Sequence, residues 1–296
     1  MRQLLVDLTP LRVHRDFRLL WFAVAVTFFG SMITYVAIPY QVYRLTGSTW
    51  LVGLLGGVEF AAIMAMALVG GALADAIDRR LMVRVTEATL MLLVGLLALN
   101  ALRDQPSVVL VFVVAGLMMA VDSVQRPSLD ALLPRLVPRE DLLAAGALNA
   151  FRTQIGMIAG PALGGVLIAW LGLTGTYLID VASFAFCLAL LARMRAVPPA
   201  EGAAPPSLKG VAEGLRYARS RPELMGTYLV DMNAMFFGMP NALFPQLASA
   251  YGGASVLGLM YAAPSVGSML ATVSSGWSKR VRRMGLAILW AAALLG

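Results

Sequence analysis

Long uninterrupted apolar segments, separated by short polar turns, make up most of this chain. Each segment is about as long as the roughly 20 residues that a helix needs to cross the hydrocarbon core of a bilayer. Their residues are apolar continuously rather than at alternate positions, which favours helices over the strands of a membrane barrel. The pattern predicts eight membrane spans and the start of a ninth, at 18–43, 50–74, 81–101, 107–125, 143–171, 175–193, 224–249 and 255–276, with the ninth opening near 284.

Composition agrees with a membrane protein and excludes a soluble globule. Hydrophobic residues fill 59% of the 296 positions and charged residues only 13%. A soluble domain carries about 45–50% apolar and about 25% charged residues. The mean hydropathy of +0.79 points the same way.

Few residues of this chain are suited to catalysis or to metal binding. The single cysteine, Cys187, permits no disulfide within the chain, and the single histidine, His14, excludes a histidine-based metal site or a Ser-His-Asp triad. The chain contains no P-loop, HExxH or GxSxG motif. We therefore expect no enzyme, no metal and no cofactor, and any transport should be driven by an ion gradient rather than by ATP.

Basic residues are distributed unevenly between the two sets of loops. Most of the 23 lysines and arginines precede the first span or follow the second, fourth, sixth and eighth spans, whereas the opposite loops hold only Arg44 and Arg103. By the positive-inside rule, the N-terminus and the basic loops are cytoplasmic. The net charge of +7 thus reflects topology and contact with lipid headgroups, and nucleic acid is not an expected partner.

The longest polar stretch, 195–222, contains five prolines and separates the sixth span from the seventh. Because proline disfavours a continuous helix, we interpret 195–222 as a cytoplasmic linker. It divides the chain into an N-terminal six-helix half, 1–194, and an incomplete C-terminal half, 223–296, that holds spans 7, 8 and the start of 9. A similar basic turn follows span 8 and is interpreted as a repeat of the turn after span 2. Its candidate gating residues are Gly276, Lys279, Arg280, Arg282 and Arg283.

The turn between spans 2 and 3 combines glycine, acid and arginine in a very short segment, with Gly71, Asp75, Asp78, Arg79 and Arg80 as its candidate gating residues. It resembles the Gly-x-Leu-Ala-Asp-x-x-Gly-Arg-Arg motif of the major facilitator superfamily of transporters. Asp78 stands where many members carry glycine. The resemblance implies that the acid and arginines of this turn latch the cytoplasmic side shut.

Span 5 carries a second motif. Gly156, Gly160 and Gly164 are four residues apart, so they share one helix face and allow another helix to approach closely, and Pro161 can bend the helix. Together with Gly165 they resemble the Gly-x-x-x-Gly-Pro-x-x-Gly-Gly motif that marks antiport exporters of the superfamily. A closer resemblance is to the drug and siderophore exporter branch, which contains the enterobactin exporter. It extends over 126–140, 180–184, 214–222 and 230–245.

The resemblance implies an all-α major facilitator fold of two six-helix halves, with twelve spans when complete and with spans 1–8 plus part of span 9 in this chain. The apolar run that opens at Met284 is too short to cross a bilayer before Gly296. We therefore expect the sequence to be a piece of a longer protein and to show no transport alone.

The resemblance also implies a function. It indicates a monomeric exporter in the plasma (bacterial inner) membrane that moves a small amphipathic cargo by proton antiport. An enterobactin-type siderophore is the leading cargo, and multidrug efflux is the alternative within transporters. A structural or signalling membrane protein is the alternative outside them.

Ionisable residues inside the spans are candidates for the proton or cargo pathway, because each costs about 2.5–3.5 kcal/mol at a helix centre. Glu59 in span 2 and Asp231 in span 7 should face a cavity, as proton acceptors. Arg152 should share the face of Gly156 and bind cargo or a counter-charge. Asp180 adds an acid near the outer end of span 6. Interhelical pairing that only holds the bundle together is the alternative for each.

Overall fold

The computed structural model describes residues 7–76, 78–195, 216–217, 219–238, 240–274 and five single positions between 285 and 293. The side chains of 67–76, 236 and 237 lie outside the description. The described part forms nine α-helices: α1 Thr9–Val13, α2 Arg15–Thr46, α3 Thr49–Ala76, α4 Arg79–Ala101, α5 Val108–Leu136, α6 Leu142–Ala192, α7 Pro222–Gly238, α8 Phe244–Tyr251 and α9 Ala254–Val273. Two short 3₁₀ turns, Arg139–Asp141 and Asn241–Leu243, precede α6 and α8.

The turns between the long helices follow from local sequence. Gly47 ends α2 in the left-handed region, with φ of 64°, where glycine is free of side-chain strain. Asp78 caps α4 by accepting a hydrogen bond from the Leu81 amide at 3.0 Å. Ser107 caps α5 in the same way through the Leu110 amide. These caps satisfy amides that would otherwise lack a partner at a helix start.

Several predicted spans differ from the helices that form. The boundary between predicted spans 5 and 6 is confirmed, because α6 is interrupted at Gly172, where φ is 68° and ψ is −178°, within the predicted gap at 172–174. Predicted span 7 is divided between α7 and α8, because the chain leaves the α-helical path around Pro240. Span 4 was expected to end at 125, yet α5 continues to Leu136 with Pro127 and Pro134 inside it.

Helices α2, α4, α5 and α6 enclose a common interior. A cluster of buried side chains contributed by all four includes Leu20, Val83, Leu132, Cys187 and Leu191. In the described part, the most extensive helix packing is between α2 and α6. Helix α9 packs on α6 as well, so α6 joins the first helices to the last described one. Helix α6 is therefore the element on which the other long helices pack.

Large apolar side chains cover the outside of the bundle. Leu92 is 67% exposed, Val109 is 72% exposed and Trp170 is 81% exposed. In water such a surface would be a large unprotected apolar patch, but in a bilayer it meets lipid tails. Within the described residues, six helical segments are long and apolar enough to cross a membrane. The expected all-α membrane fold is confirmed.

Candidate functional site

The glycines of the span 5 motif lie on α6 where it crosses α2. A side-chain carbon placed on Gly156 would overlap the ring of Phe28, and one placed on Gly160 would overlap Met32. At Gly164 the same carbon would stand 3.1 Å from the Ile33 Cα. The row of glycines therefore lets the two helices pack with little space between their backbones.

Gly165 faces a different helix. A side-chain carbon placed on it would stand 2.8 Å from the Cα of Gly258 on α9. The converse also holds, since a carbon on Gly258 would stand 2.9 Å from the Gly165 Cα and would overlap the carbonyl oxygen of Pro161. Nearby, the Gln154 amide donates to the Ser265 carbonyl oxygen at 2.9 Å. The motif thus joins α6 to a helix that follows residues 195–222.

The described part of the turn between α3 and α4 joins the start of α4 to the ends of α5 and α6. The guanidinium of Arg79 donates to the Ala131 carbonyl oxygen of α5 at 2.9 Å. The guanidinium of Arg80 donates to the carbonyl oxygens of Leu191 and Ala192, the last two residues of α6, at 3.0 and 2.9 Å. We call this end of the bundle, where Arg79 and Arg80 lie, the basic end. Gly71 and Asp75 belong to α3, and their surroundings lie outside the described residues, as do Gly276, Lys279, Arg280, Arg282 and Arg283.

Glu59 lies beside the aromatic rings of Tyr35 on α2 and Tyr261 on α9. The rings of Tyr35 and Tyr261 meet edge to face at 5.3 Å between centroids, and Phe244 meets Tyr261 in the same way at 5.2 Å. The Glu59 carboxyl is partly buried and interacts electrostatically with both tyrosines. We call these four residues the aromatic–acid cluster. It combines flat apolar surfaces, phenol hydroxyls and one carboxyl, which suits an amphipathic ligand.

Arg152 lines a separate small cavity between α2, α5 and α6. Its volume is about 100 Å³, and its wall includes Phe17, Trp21, Asp130 and Asn149. Among the described residues, the buried Nε of Arg152 and the buried Nε1 of Trp21 have no hydrogen-bond acceptor. These two donors could bind an oxygen atom of a ligand, although the volume admits only a small group.

Asp180, which was expected near the outer end of span 6, is fully buried. Its Oδ2 accepts a hydrogen bond from the Thr34 hydroxyl at 2.5 Å, and its Oδ1 accepts one from the Ser183 hydroxyl at 3.0 Å. Gly30 allows this approach, because a side-chain carbon there would overlap the Asp180 carboxyl and the Ser183 hydroxyl. Asp231, in contrast, is exposed on α7. The four charged candidates are therefore spread over four environments instead of forming one site.

Sequence reasoning missed one buried acid, Glu87 on α4, which is only 3% exposed. Its Oε1 accepts a hydrogen bond from the Gln125 amide of α5 at 2.8 Å. The signal was present in the spacing, since Val83, Glu87, Leu90 and Val94 recur at helical intervals on one face. An acid on that apolar face had to lie inside the bundle.

Comparisons with known proteins identify the family. A family model described as transmembrane secretion effector, from the major facilitator superfamily, matches residues 6–295. The enterobactin exporter of Shigella boydii serotype 4 is 30% identical over 290 residues, which covers 96% of this chain and 69% of that protein. The enterobactin exporter of Citrobacter koseri is 30% identical over 286 residues, with the same coverage.

These matches agree with the helical fold and with the motifs of the turn at 70–80 and of span 5. The match of the family model extends over nearly the whole chain. The chain therefore belongs to the transmembrane secretion effector family of major facilitator superfamily transporters.

Proposed function

We propose that this chain belongs to an exporter of a small amphipathic molecule, working by proton antiport in the bacterial inner membrane. Its N-terminus faces the cytoplasm, it acts as a monomer, and it moves its cargo without catalysing a reaction on it. The observation that carries the proposal is the contact between Gly165 and Gly258. Through this contact, a motif resembling that of antiport exporters packs against a helix beyond the linker, where two halves of a transporter would move against each other.

The favoured cargo is a siderophore of the enterobactin type. Two kinds of support converge on it: the relatives named above are enterobactin exporters, and the aromatic–acid cluster offers edge-on rings and a carboxyl to a flat, polar-edged molecule. Multidrug efflux is the second candidate, because the same aromatic surfaces would accept an apolar drug. A structural or signalling role would leave the partly buried Glu59 without a use.

Deletion of the encoding gene tests the proposal. Under iron starvation, the deletion strain should secrete much less siderophore and retain more of it inside the cell than the parent strain. Chromatography of medium and cell extract measures both pools. The gene reintroduced on a plasmid should restore secretion. Normal secretion by the deletion strain would contradict siderophore export, and an unchanged sensitivity to drugs would also contradict the second candidate.

A Glu59→Gln substitution in the same gene tests the proton acceptor. Glutamine keeps the size and hydrogen-bonding capacity of the side chain but cannot exchange a proton, so secretion should fall close to the level of the deletion strain. Glu223→Gln is the matched control, because Glu223 is exposed and pairs with Arg221 at 3.6 Å on the surface. It should secrete normally. Full secretion by the Glu59→Gln strain would remove Glu59 from the proton pathway.

A further inference from the structure

The helices α2, α4, α5 and α6, which we call the first bundle, enclose a carboxyl that is not among the four charged candidates of the sequence analysis. Glu87 lies on α4, eight residues from the start of the helix at Arg79 and so about 12 Å along its axis. It is 3% exposed and shares its helix face with the buried Val83 and Leu90. It therefore points into the space enclosed by α2, α4, α5 and α6, and away from lipid.

The two oxygens of this carboxyl have different surroundings. Oε1 accepts the hydrogen bond from Gln125. Oε2 is buried and receives no hydrogen bond from an N–H or O–H group of the described residues, and the weakly donating Cys187 thiol interacts with the same carboxyl. Leaving a buried acceptor without a donor is costly, so such an atom in a native structure calls for a physical reason.

Within the described chain, no basic group neutralises the charge of the Glu87 carboxylate. The titratable groups around it are Cys187 and Asp180 on α6 and Asp122 on α5, all acids or weak acids. On α2 the polar residue at this level is Thr27, whose hydroxyl bonds the Ala23 carbonyl oxygen of its own helix. Glu87 is thus not half of a structural ion pair, which was the alternative considered for intramembrane charges.

Asp180, the other acid that is buried in the described part of the chain, differs in this respect. Both of its carboxyl oxygens accept hydrogen bonds, one from Thr34 and one from Ser183. Its hydrogen-bonding capacity is used to hold α2 against α6. Of the two acids, only Glu87 has a carboxyl oxygen that accepts no hydrogen bond from an N–H or O–H group of the described residues.

A second unpartnered group lies between Glu87 and the basic end. Ser128 follows Gln125 by three residues on α5, about 4.5 Å nearer the end of that helix. Its side chain is fully buried, and its hydroxyl has no partner among the described residues. A hydroxyl can both accept and donate a proton, so Ser128 supplies a possible step between Glu87 and that end of the bundle.

We propose that Glu87 is a proton-binding site inside the first bundle, taking up one proton on Oε2 and releasing it again during the transport cycle. Uptake forms one O–H bond on the carboxylate and breaks one O–H bond of a hydronium ion from the aqueous phase, and release reverses both. The proposal rests on proton-coupled export as the function, and it adds an acid outside the aromatic–acid cluster to the pathway. Gln125 acts as a positioning residue, because it holds the carboxyl through the opposite oxygen.

Infrared spectroscopy of the purified 296-residue chain in phospholipid nanodiscs tests the proposal directly. Difference spectra between acidic and alkaline buffer should contain, beside the broad band of the exposed carboxyls, a distinct carbonyl stretch from a protonated buried carboxyl. Glu87→Gln should remove that band. Asp180→Asn should leave it in place, and Gln125→Met should shift its frequency, since the carboxyl then loses its hydrogen-bond donor.

Three outcomes would overturn the proposal: no such band in the unaltered chain, an unchanged band in the Glu87→Gln variant, or a band lost only in the Asp180→Asn variant. Circular dichroism and gel filtration establish that each variant is folded. If Glu87→Gln fails to fold, Gln125→Met still decides the matter, because an unshifted band there would belong to another acid. The result is separate from the deletion experiment, which can fail or succeed without changing this spectrum.

Discussion

Replacing Gly258 with valine should separate α9 from α6 and cause the largest loss of stability of any single change considered for this chain. A side-chain carbon at Gly258 would meet the Gly165 backbone and the Pro161 carbonyl oxygen. These are backbone atoms, which cannot rotate away as a side chain can. We expect a loss of about 3 kcal/mol, at the upper end of the usual cost of overpacking.

Thermal unfolding of the purified chain in detergent measures this loss, and secretion by a strain with the altered gene should fall in parallel. Gly267→Val is the matched control, because Gly267 lies on the same helix with no atom within 4 Å of an added side-chain carbon. Its melting temperature should stay close to that of the unaltered chain. Equal melting temperatures for the two variants would mean that the contact between Gly165 and Gly258 does not hold the helices together.

Replacing Asp180 with alanine should give the second largest effect. The change removes the acceptor of the buried Thr34 hydroxyl, which has no other hydrogen bond among the described residues, while Ser183 still donates to the Asp180 carbonyl oxygen. Leaving a buried hydroxyl unpaired costs about 1–3 kcal/mol, and the vacated volume adds to that cost. Asp180→Asn should lose much less, because the amide can still bond both hydroxyls.

Chemical unfolding of the purified variants measures these differences. Asp231→Ala is the matched control, since Asp231 is the same residue type in an exposed position of α7. It should change the free energy of unfolding by no more than about 0.5 kcal/mol. If Asp180→Ala and Asp231→Ala were equally stable, the hydrogen bonds of Asp180 would contribute nothing to the bundle.

The positions of four long helices could be predicted because their apolar runs have clear ends. The predicted spans at 18–43, 50–74, 81–101 and 255–276 agree with α2, α3, α4 and α9 to within three residues at each end. The break at Gly172 falls in the predicted gap between spans 5 and 6. The break inside span 7 could not be predicted in this way, because the apolar residues on both sides of Pro240 and Asn241 keep the average hydropathy of the segment high.

The site was predictable only in part, for a related reason. The spacing of Gly156, Gly160 and Gly164 indicates a shared face for close packing, but spacing within one helix cannot name the partner. The structure supplies α2 as the partner of this row and α9 as the partner of Gly165. Glu87 was overlooked because a single acid hardly alters the mean hydropathy of a span, whereas its position on the apolar face would have revealed it.

The hydrogen bonds of Arg79 and Arg80 have a consequence for how the molecule can move. They fasten the start of α4 to the last turns of α5 and α6, so the basic end of the first bundle contains three helices that cannot slide separately without breaking charged hydrogen bonds. Such a bundle behaves as a rigid body. We expect any rocking that opens a path for cargo to pivot on the crossing of α6 with α9, where the backbones of Gly165 and Gly258 touch.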